Sequence, residues 1–221
     1  MGYSKLNKSA NYGQNTAQNH AQNLANDYAK LGEISKLNNK KFPFKEVIKN
    51  IEKREVLAFK NDKLLALLKS ACANTITPVN NIEFSGRPNE FGNIVANLFA
   101  VECKQLGLDY QKPKDTQGKG KESGYPDGLV VFENAYFYTE LKTCEQRQQN
   151  QTLRTFFYSP SLNSKILYDA CHLVICFLTT KNGNALVLNG EFHIVDMSDK
   201  EVKLKLEYNA NNKELYGGKL L

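Results

Sequence analysis

The chain has 221 residues, 41% of them hydrophobic and 24% charged, close to the globular average, which sets aside wholesale disorder, collagen-like and coiled-coil architectures. Its longest apolar stretch, Leu173 to Leu178, is far short of the roughly 18 residues that a membrane-crossing helix needs, the first residues lack the apolar core of a secretory leader, and five cysteines form no C-x-x-C pair. The expectation is a cytoplasmic protein with reduced thiols and no membrane partner. The net charge is +6, and the excess sits in residues 36–69, where ten Lys and Arg face four acids, a distribution that suits a polyanion partner.

Residues 1–13 read as a loose, mobile tail in a stretch rich in Asn, Gln and Ser. From Thr16, the spacing of Ala17, Ala21, Leu24, Tyr28 and Leu31 predicts a helix, with Gly32 as its stop. A second helix follows Pro43, with Phe44, Val47, Ile48 and Ile51 on one face and Lys45, Lys49, Lys53 and Arg54 around the rest. A third starts at Asn61, a good N-cap, and runs to Ala73. These helices make residues 1–75 an N-terminal helical layer, leaving 76–221 as the core. The clearest helix opens at Pro88 and carries Phe91, Ile94, Val95, Leu98 and Phe99, with Gly107 at its C-terminal end. A short strand at 108–111 precedes Lys112–Gly124, which has no apolar side chain and reads as a mobile loop.

From Asp127 the period changes to two. Leu129–Phe132 and Tyr136–Lys142 read as paired strands, followed by a helix over Ser161–Ala170, a buried strand over His172–Thr180 and further strands in the tail. This order predicts an α/β core with a mixed central sheet flanked by helices.

One constellation carries chemistry. With Glu133-Asn134 as a two-residue turn, Phe132 faces Ala135, and counting outward sets Asp127 opposite Glu140. Tyr136, Tyr138, Glu140 and Lys142 share that face, while Ala135, Phe137, Thr139 and Leu141 take the apolar one. Two carboxylates make a hard oxygen site for Mg²⁺, which acidifies a water and neutralises charge on a phosphodiester. Lys142 is placed to assist that water. The competing reading of Glu140 and Lys142 is an ordinary surface ion pair.

Pro126-Asp127 followed by Glu140-Leu141-Lys142, with an acid-bearing helix upstream, resembles the PD-(D/E)XK nuclease superfamily, and within it the type II restriction endonucleases. The resemblance runs over about 84–208 and includes 155–180, as a helix and strand, and the closing strand VKLKLEYN. It implies a restriction-endonuclease-like core, Asp127 and Glu140 on Mg²⁺, Lys142 in catalysis, and Glu90 as an accessory carboxylate. It also implies double-stranded DNA cut at a short site, a homodimer matching a palindromic site, and a cognate DNA methyltransferase. A structure-specific repair or recombination nuclease and a non-catalytic DNA-binding protein are the alternatives.

For DNA contact, Lys112, Lys114, Lys119 and Lys121 suit phosphate. Gln146, Arg147, Gln148, Gln149 and Arg154 suit base edges or phosphate. Solvated surface is the alternative for each group. Gly118-Lys119-Gly120 lacks the spacing of a nucleotide-binding P-loop.

Overall fold

A computed structural model describes residues 30–120, 124–151, 156–207 and 210. The loose tail, most of the first expected helix, Lys121 and Arg154 lie outside the described residues. The chain forms two compact units, residues 43–201 and residues 1–42 with 202–221. In the smaller unit, residues 30–35 are helical, so the helix passes Gly32 instead of stopping there. Strand β1 (Lys41–Pro43) pairs with β8 (Glu201–Lys203), flanked by Asn39 N–H on Leu204 O at 2.8 Å and Leu204 N–H on Lys40 O at 2.9 Å. The closing strand is therefore shorter than the sequence suggests and belongs to a two-stranded sheet.

In the larger unit, helix α1 (Phe44–Glu52) buries Phe44 and Ile48, while Ile51 stays exposed. Helix α2 (Asp62–Asn80) starts where Asn61 caps it, its side-chain oxygen accepting from Leu64 N–H at 2.8 Å. It continues past Ala73 and through Pro78, and at its last residue the Asn80 side chain pairs both ways with the Leu188 backbone, at 2.9 and 2.8 Å. The division drawn at 75/76 falls inside this helix. Helix α3 (Pro88–Gln105) has proline at its first position and ends at Gly107, whose φ of +79° is the left-handed conformation that glycine adopts freely.

Strands β2 (Val56–Leu57), β3 (Asp109–Gln111), β4 (Gly128–Phe132), β5 (Ala135–Glu145), β6 (Ala170–Asn182) and β7 (Ala185–Asp196) form one mixed sheet. Its order is β2-β6-β5-β4-β3, with β7 also on β6; β5 and β2 run parallel to β6, the other pairs antiparallel. Helices α2 and α3 cover one face. Leu64, Leu68, Cys72, Phe91, Val95 and Phe99 meet Val130, Phe137, Leu141, Leu173, Ile175 and Phe177 in a continuous core. On the opposite face the Phe44 ring makes edge contacts with Tyr125, Phe156, Tyr158 and His172. All five cysteines are free thiols, and among the described residues no helix is long and apolar enough to cross a membrane.

Two further segments, 161–170 and the loop after β3, take a form that the spacing does not convey. No helix forms over the expected 161–170: residues 161–169 are irregular and β6 begins at Ala170. Ser161 and Ser164 turn the chain there by accepting from the backbone N–H groups of Asn163 and Ile166, at 3.2 and 3.0 Å, in place of helical bonds. The loop after β3 is a built turn over 112–120. The buried Asp115 Oδ1 accepts from Gln117 and Lys119 N–H at 2.9 and 3.0 Å, and Thr116 N–H reaches Ser164 O at 3.1 Å.

Candidate active site

The site is built by the β4–β5 hairpin. Glu133 and Asn134 both hold positive φ, +49° and +62°, the geometry of a tight two-residue turn whose twist suits the flanking strands. The register then runs from Phe132↔Ala135 to Gly128↔Thr139, as the alternation predicts. Just beyond the last pair, Asp127 N–H donates to Thr139 O at 3.0 Å and Asp127 Oδ2 accepts from Leu141 N–H at 2.8 Å. Backbone and side chain of Asp127 thus clasp the residues on either side of Glu140. Gly128 makes this approach possible: a Cβ there would overlap the Tyr110 hydroxyl and come within 2.5 Å of Thr139 Oγ1.

Glu140 is only 4% exposed. Its Oε1 accepts from Lys142 Nζ at 2.5 Å, while Oε2 is buried with no partner. Burial first, and then the Asp127 charge, push the Glu140 carboxyl up to about 7, with Lys142 and Lys165 pulling the other way. A buried carboxylate oxygen left bare is costly, and it is the feature that a hard cation would satisfy. Two carboxylates fit Mg²⁺, which binds through one or two such groups and keeps waters or phosphate oxygens elsewhere. Among the described residues no group of three His, Cys, Asp or Glu that could hold a metal gathers anywhere.

The structure brings Asp127, Glu140 and Lys142 together but does not gather Glu90 with them. Glu90 is exposed, and its Oε2 accepts from Arg87 N–H at 3.3 Å, capping the start of α3. Lys112, Lys114 and Lys119 are exposed on the turn after β3. Gln146, Arg147 and Gln148 form a single 3₁₀ turn at the end of β5. There Arg147 Nε pairs with Glu145 Oε1 at 2.6 Å, and Gln149 Nε2 lies 2.5 Å from His193 Nε2. Among the basic residues of α1, Lys49 pairs with Glu55 at 2.8 Å.

Sequence reasoning missed the supports behind the pair. The Tyr125 hydroxyl lies 2.6 Å from His172 Nδ1, and burial lowers that imidazole to about 3, so it is neutral. The Tyr138 hydroxyl accepts from Leu167 and Tyr168 N–H at 2.8 and 3.3 Å. Lys165, 4% exposed, donates to the carbonyls of Gly124 and Pro126. A lone lysine in a polar stretch gives no signal of such burial.

Fold and site together define an α/β protein that presents an acid pair and a lysine at the end of a central hairpin. The model of the type II restriction enzyme MjaV family matches residues 36–219, and the chain belongs to that family. It is similar to the type II restriction enzyme MjaV of Methanocaldococcus jannaschii, 36% identical over 139 residues. That stretch is 59% of this chain and 60% of the relative, so the match spans about three fifths of the relative's length.

Proposed function

We propose that the chain is a Mg²⁺-dependent type II endonuclease with a PD-(D/E)XK core, hydrolysing phosphodiester bonds of double-stranded DNA at a short specific sequence. Family membership supports the reaction class. The observation that carries the chemistry is the bare, buried Glu140 Oε2 beside Asp127. Helix α3 followed by the antiparallel β3–β4–β5 and parallel β6 supports the core assignment.

Asp127 and Glu140 would hold the metal. When bound, Mg²⁺ acidifies a water and offsets the charge that builds on the phosphate. Asp127 keeps its orientation through Leu141 N–H, so an approaching phosphate does not turn it aside. Lys142, its side chain 24% exposed, bridges Glu140 and solvent; it orients the attacking water and steadies the phosphate. Glu90 would join only by leaving its helix cap. Lys112, Lys114 and Lys119, with Lys121, contact the DNA backbone. Gln146, Arg147, Gln148 and Gln149, with Arg154, approach the bases. A homodimer on a palindromic site, a cognate methyltransferase and a cytoplasmic setting complete the proposal.

The test is incubation with unmethylated phage DNA and Mg²⁺ against an EDTA control. Discrete bands are expected, and Asp127→Ala abolishes them while DNA binding in a gel shift survives or tightens, because one negative charge facing phosphate is gone. Equal cleavage by Asp127→Ala overturns the mechanism. Cutting of branched DNA alone moves the assignment to repair, and a gel shift without cutting leaves a binding protein.

A further inference from the structure

Lys165 lies in the irregular segment between β5 and β6, where a lysine that is only 4% exposed calls for a reason. A buried ammonium is expensive unless strong acceptors and nearby negative charge offset its lost hydration. Both are present. Its Nζ donates to Pro126 O at 2.5 Å and to Gly124 O, two carbonyls that bracket Tyr125 and lead directly into Asp127. Its charge acts on the Glu140 carboxylate in the stabilising direction.

The lysine is itself firmly held. Ser164 O, one residue before it, accepts from Thr116 N–H at 3.1 Å, and Leu167 N–H, two residues after it, donates to the Tyr138 hydroxyl at 2.8 Å. Tyr138 is on β5, two residues from Glu140, so the anchor of Lys165 and the carboxylate share one strand. On the far side, Gly124, Tyr125, Tyr158, Ser164 and Lys165 line a cavity of about 240 Å³. Tyr125 itself is buried against the rings of Phe44, Phe156, Tyr158 and His172, so the two carbonyls that flank it are where the lysine acts.

We propose that Lys165 is a positioning residue for DNA cleavage, its ammonium tying the Gly124 and Pro126 carbonyls so that Asp127 is held against Glu140. The role rests on the nuclease reading above. Lys165 fixes the distance between the two carboxylates without touching DNA.

The experiment compares full-length parent, Lys165→Met and Lys165→Arg for DNA affinity in a metal-free gel shift, cleavage rate against Mg²⁺ concentration, and melting temperature. Lys165→Met is expected to bind DNA within about threefold of the parent and to cleave about 100-fold more slowly, the scale of a 1 Å misplacement. Its half-saturating Mg²⁺ concentration rises, and Lys165→Arg recovers part of both losses. Parental cleavage with parental Mg²⁺ dependence in folded Lys165→Met overturns the proposal. Should Lys165→Met fail to fold, Lys165→Gln, whose shorter neutral side chain cannot span both carbonyls, takes its place, and parental cleavage with parental Mg²⁺ dependence in that folded variant overturns the proposal. A parent that cuts no DNA in the same gel removes the nuclease reading, and this role with it, which is distinct from a parent that cuts and a methionine variant that cuts equally well.

Discussion

At Glu140 two demands meet: the proposed metal role needs an ionised carboxylate, while burial and the Asp127 charge push its pKa up to about 7. The folded value lies above the ordinary 4.5, so folded protein binds more protons through that window and metal-free stability falls as pH rises from about 4.5 to about 7. His172 acts in the opposite sense. Held down to about 3 against its usual 6.5, it contributes stability that is complete above 6.5 and is lost as pH falls through about 3. Glu140→Gln removes the cost of ionisation, so in EDTA at pH 8 it is expected to melt a few degrees above the parent, the equivalent of about 1 kcal/mol, while cutting no DNA. A scanning-calorimetry melt below the parent at that pH would show that the Lys142 pairing outweighs burial.

Among the elements, the hairpin carries the site and Gly128 carries the hairpin's closest approach. Gly128→Ala drives a methyl group into Tyr110 and Thr139, and overpacking of this kind costs about 1–3 kcal/mol. The urea midpoint is expected to fall and cleavage to vanish, because Asp127 is the next residue; a parental midpoint would mean that the strands can separate at no cost. The register was legible because strict alternation over Tyr136–Lys142 and a turn of only two residues leave a single pairing that buries Phe137 and Leu141. The segment 161–169 was not legible. Its apolar residues match helical spacing, yet Ser161, Ser164 and the distant Tyr138 hydroxyl take the backbone N–H groups that a helix would use. The burial of Glu140, 4% exposed, was hidden too, since strand alternation assigns it a face but says nothing of what covers that face.

For the molecule as a whole, charge in the sequence proved a looser guide than pattern. The excess in 36–69 is divided between the two compact units, and within it Lys49 and Lys63 already pair with Glu55 and Glu133, at 2.8 and 3.1 Å. Global stability offers a reading of the site that needs no DNA. An ion held only by the folded chain stabilises it by about 2.7 kcal/mol at 100 times its Kd. Mg²⁺ is therefore expected to raise the melting temperature of the parent and to leave Asp127→Ala unmoved. Equal upward shifts in both proteins would place the bound ion elsewhere.

Parity governs how the acid pair tolerates changes in chain length. Side chains along β4 and β5 alternate between the helix layer and the site. A slip of one ladder step therefore turns the Asp127 carboxylate toward the α2–α3 core, and a slip of two returns it to the right face at the wrong height. Only at Glu133-Asn134, outside the last pair, can residues be added without disturbing the count. The two acids can thus drift apart along the chain through the hairpin tip while staying neighbours in space.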